Sequence, residues 1–89
     1  MGTQSTHLAS GSPHLIRHHT NWRLRALQAA ENLDDKELMY TVNVSLSKKD
    51  FEKLREEMVQ YIKSFLESVY PSPAEDIACF NLDWFWIRK

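Results

Sequence analysis

Eighty-nine residues provide for one domain at most, and a chain of that length buries only about 60–65% of the surface its unfolded form exposes. A content of 43% hydrophobic and 26% charged residues with only two glycines excludes a disordered or fibrous chain. Eleven basic against twelve acidic residues give a formal charge of −1, which leaves no net positive field to grip a phosphate backbone and argues against direct nucleic-acid binding.

Residues 1–12 are rich in Thr, Ser, Gly and Gln, with Leu8 the one large apolar side chain besides Met1, so they are read as a disordered lead-in or the tail of a linker. Residues 13–89 are read as a single small domain, a fragment of a longer protein. Ser12-Pro13 is a helix start, because serine accepts a bond from a free amide of the first turn and proline suits the first helical position. The helix is expected to run to about Leu33, since Leu15, His19, Trp22, Ala26, Ala30 and Leu33 recur at three- and four-residue steps. A turn follows over Asn32 to Asp35.

From Leu38 to Leu46 the period changes to two. Leu38, Tyr40, Val42, Val44 and Leu46 alternate with Met39, Thr41, Asn43 and Ser45, the pattern of a strand with one apolar side. Ser47-Lys48-Lys49-Asp50 resembles a capping box and opens a second helix, whose stripe is Phe51, Leu54, Met58, Tyr61, Ile62, Phe65, Leu66 and Val69. Pro71 and Pro73 end it. A second alternation then begins near Asp76, with Phe80, Leu82, Trp84 and Trp86 on one side and Asn81 and Asp83 on the other. The order helix-strand-helix-strand predicts an α+β fold: a small sheet with a β-α-β unit covered by helices. Two strands are too few to stand alone, so either the first helix also covers the sheet or two chains join to complete it, and completion by dimerisation is the favoured expectation. The interface would hold Phe80, Leu82, Trp84, Phe85, Trp86 and Ile87, a stretch apolar on both sides near its end.

Residues suited to carry chemistry are sparse. His14 and His18 are four apart, with His19, half-buried by its place in the stripe, and His7 nearby, but a zinc site needs three or four ligands and the lone cysteine, Cys79, is far away in the chain. No metal and no cofactor is expected. Serines are present, yet none sits in a glycine-flanked nucleophile turn with assignable partners, and no glycine loop is suited to phosphate. Asp34-Asp35 and Glu56-Glu57 read as turn and helix-surface charges. The chain is therefore expected not to be an enzyme. Thr41, Asn43, Ser45, Asn81 and Asp83 would share the polar sheet face, a possible ligand-binding surface for a small-molecule effector. Cys79 cannot form an internal disulfide and reads as a half-buried small side chain in a reducing compartment. With no run near 20 apolar residues and no signal-peptide core, the chain is expected to be cytoplasmic and free of membranes.

Three stretches together carry a resemblance: His18-His19-Thr20-Asn21-Trp22-Arg23-Leu24-Arg25-Ala26-Leu27, Tyr40-Thr41-Val42-Asn43-Val44-Ser45-Leu46-Ser47-Lys48-Lys49-Asp50-Phe51, and Phe80-Asn81-Leu82-Asp83-Trp84-Phe85-Trp86. From His19 to Lys89 the chain resembles the C-terminal part of a bacterial family of conserved hypothetical proteins with a domain of unknown function. Members of that family are longer, have an upstream helix-turn-helix region and are taken as transcription regulators. The resemblance implies a C-terminal dimerisation or regulatory domain, a homodimer that sets the spacing of two upstream DNA-reading heads. An effector-sensing domain is the alternative. The ending Trp84-Phe85-Trp86-Ile87 departs from the family's aromatic-proline finish.

Overall fold

The computed structural model describes residues 12–88, so the expected lead-in at 1–12 lies outside the described residues except for Ser12. Two helices form, α1 over Pro13–Ala29 and α2 over Lys48–Val69, with a 3-10 turn at Ala30–Asn32 continuing α1. The described residues fall into two units, one ending at Tyr40 and one beginning at Thr41.

In the first unit the sequence signals act locally, as capping signals do. Ser12 is extended, its side-chain oxygen accepts from the Leu15 amide at 3.5 Å, and proline occupies the first turn. Leu15, Trp22 and Ala26 of the expected stripe are half-buried, whereas His19 is exposed, not half-buried as its place in the stripe predicts. The chain leaves the 3-10 turn through an aspartate-centred bend, in which the Asp34 carboxylate accepts from the Lys36 amide at 2.6 Å and the Asp34 amide donates to Glu37 at 3.0 Å. Short polar side chains that bond to their own backbone are what makes such bends.

In the second unit Ser47 caps α2. Its hydroxyl oxygen accepts from the Asp50 amide at 3.0 Å, satisfying one of the donors that a helix leaves open at its start. Asp50 also adds negative charge to the first turn, where the helix dipole favours it. Ser47→Ala is expected to cost about 1 kcal/mol, read as a lower thermal midpoint of the helical circular-dichroism signal with the native spectrum unchanged. At the far end Tyr70 caps the helix through Leu66, and the prolines follow.

The expected α+β architecture is corrected at this point. Among the described residues there is no strand and no sheet, so the fold is all-α. Alternation reports which side of a segment is apolar, and it carries no information on whether the backbone finds a ladder partner. Residues 38–46 make no backbone hydrogen bond to another described residue, and Leu38, Tyr40, Val42 and Val44 remain exposed. The C-terminal alternation is satisfied in another way, by the side chains of α2. No residue among those described is fully buried.

Candidate association surface

The C-terminal segment lies along α2 in the reverse direction. Phe80 meets Phe65 at 4.7 Å between ring centroids and Tyr61 edge-on at 6.2 Å. Trp84 and Trp86 both stack on Phe51, at 4.8 and 4.4 Å and within 18° of parallel. Phe51 and Phe65 are 14 residues apart, about 21 Å along a helix axis, while the six steps from Phe80 to Trp86 reach about 20 Å if fully extended. The reach of the segment thus matches the separation of its two anchoring rings along α2. Extension places Trp84 and Trp86 on the same side about 7 Å apart, near enough for one phenyl ring to touch both indoles.

A hydrogen bond fixes the orientation of one indole. Trp84 Nε1 donates to the Phe51 carbonyl oxygen at 3.1 Å, so a half-buried N–H is satisfied by an oxygen with a lone pair to spare. Trp84→Phe keeps an aromatic ring in place and removes this bond. It is expected to cost about 1 kcal/mol, measured as a fall in the urea midpoint with an unchanged slope.

The six residues expected at an interface are divided by this arrangement. Phe80, Trp84 and Trp86 contact rings of α2 in their own chain, and of these the two tryptophans are half-buried, whereas Phe80 and Leu82 are exposed, at 44% and 40%. Phe85 and Ile87, which alternate with Trp84 and Trp86 in the sequence, are 68% and 71% exposed. Val42 and Val44 of the same unit are also exposed. Thr41, Asn43, Ser45 and Asp83 are exposed and Asn81 is half-buried, and among the described residues no sheet forms to present them. Cys79 is free and exposed, not the half-buried side chain expected.

His14 and His18 are exposed on α1. His18 lies against His19 at 6.0 Å, and the His19 ring is 3.4 Å from the Arg23 guanidinium. Among the described residues no three His, Cys, Asp or Glu side chains converge as a metal would require. Among the described residues no helix is long and apolar enough to cross a membrane.

Sequence reasoning placed Phe51 in the stripe of α2 and missed its role as the shared ring. The available signal was its position as the first aromatic of the helix, opposite a segment that presents two tryptophans at a two-residue spacing.

No family model matches the chain, and no curated protein or solved structure shows significant similarity to it.

Proposed function

We propose that this chain is a non-enzymatic association domain that forms a homodimer and serves as the dimerisation and regulatory part of a bacterial transcription regulator. The observation that carries the dimer is the division of the C-terminal aromatics. Phe80, Trp84 and Trp86 contact rings of α2, while Phe85 and Ile87, which alternate with the two tryptophans in the sequence, stand largely exposed. Val42 and Val44 add apolar surface to the same unit. A second copy suits such a surface, because a two-fold interface uses one patch twice and each copy brings the same apolar residues. The core of such an interface is typically aromatic and aliphatic and poor in charge.

The regulatory part of the proposal rests on the resemblance to proteins with an upstream helix-turn-helix region. Pairing two copies would hold two such heads at a fixed separation, which is how dimeric regulators match the spacing of half-sites. Sedimentation equilibrium over a hundredfold concentration range tests the dimer. The weight-average mass should rise from 10.5 kDa towards twice that value, and a mass that stays at the monomer value at the highest concentration would refute it.

A further inference from the structure

The formal charge of −1 conceals a segregation. Residues 13–29, the span of α1, contain Arg17, Arg23 and Arg25 and no aspartate or glutamate, while the rest of the chain holds the other eight basic residues and all twelve acidic ones. Net charge averages these regions, whereas a polyanion meets them one at a time.

Within α1 the polar residues are also arranged. At about 100° per residue, His14, Arg17, His18, Asn21, Arg25 and Gln28 fall within about 100° of the helix circumference. All six are exposed, and the stripe runs from the first turn to the last. Arg23 lies on the far side, where its guanidinium donates to the His19 carbonyl at 3.3 Å. The half-buried residues Leu15, Trp22 and Ala26 also lie away from the stripe. Arg25 packs over the Trp22 ring at 5.7 Å, which braces the guanidinium at the edge of the stripe.

We propose that α1 docks on duplex DNA through this stripe, with Arg17 and Arg25 on phosphates. The two arginines are eight residues apart, about 12 Å along the axis, which is also about the width of the major groove. A helix laid across the groove can set one arginine on each phosphate wall, with the Asn21 amide between them facing the groove. Guanidinium and amide groups are the side chains that bond phosphate and base edges. Ile16, Leu24 and Leu27 are exposed on other sides of α1, so an anionic lipid surface is the competing occupant that the vesicle outcome of the test separates from DNA. This inference does not depend on the dimer, although pairing would double the number of phosphate contacts.

The test is fluorescence anisotropy of a labelled 20-base-pair duplex titrated with the full chain at several salt concentrations. Two contacts per helix predict a slope of log affinity against log salt of about −2, so that going from about 50 to about 200 mM salt weakens binding about tenfold. Arg17→Glu with Arg25→Glu should abolish the signal at low salt with helix content unchanged. Lys36→Glu with Lys63→Glu, exposed sites off the stripe that change the net charge equally, should retain most of it. Absence of wild-type binding at low salt, equal loss in both double variants, or binding only to anionic phosphatidylserine vesicles would each overturn the proposal. None of these results bears on the mass measured by sedimentation.

Discussion

Phe51→Ala should free the C-terminal segment from α2 and lower the stability of the second unit by about 3 kcal/mol. Full truncation of a core phenylalanine costs about 3–5 kcal/mol, and Phe51 is only half-buried, which argues for the low end of that range. Two stacked pairs, each contributing about 0.5–1.5 kcal/mol beyond area, are lost at once with the alanine. The measurement is tryptophan emission in a Trp22→Phe background, where the signal comes from Trp84 and Trp86 alone. Emission should shift to the red in the alanine variant under native conditions, with α2 still helical by circular dichroism. Phe51→Leu should fall between, because it restores apolar contact and leaves the stacking absent. An unshifted spectrum in the alanine variant would show that other contacts hold the segment.

Phe85→Asp with Ile87→Asp should weaken self-association by about a hundredfold or more. Two large apolar residues at the centre of an interface commonly carry more than 1 kcal/mol each, and a buried carboxylate without a partner adds a further cost. A hundredfold change in dissociation constant corresponds to about 2.8 kcal/mol, within reach of two such substitutions. Both side chains are largely exposed and neither takes part in the stacks on Phe51, so those stacks and the tryptophan emission should be unchanged. That contrast separates the two surfaces of the segment: Phe51→Ala acts within the chain, and the aspartates act between chains. A double variant that sediments like the wild type would move the interface elsewhere.

The helices were legible because their signals are local. Ser12-Pro13, Ser47 with Asp50, and the proline pair after Tyr70 act through neighbouring backbone groups, and no tertiary information is needed to place them. The side preference of the C-terminal segment was legible too, since alternation puts Phe80, Trp84 and Trp86 together and the structure rests these three on α2. What alternation lacks is the identity of the partner. A β-ladder and a helix surface can both cover an apolar side, and the choice depends on long-range packing around Phe51 and Phe65 that no local pattern encodes. The same gap explains residues 38–46, where an apolar side exists and the described residues of the chain leave all of it but Leu46 exposed. The cationic stripe of α1 was visible in principle, and summing the charges over the whole chain concealed it.

The most direct test of association through the C-terminal segment is an isotope-filtered NOE experiment on an equimolar mixture of labelled and unlabelled chains. Intermolecular contacts from the Phe85 ring and the Ile87 methyls to the partner copy are the expected result, with Trp84 and Trp86 showing contacts to Phe51 of their own chain. A spectrum at millimolar concentration with no intermolecular signal from Phe85 or Ile87 would contradict the proposed function.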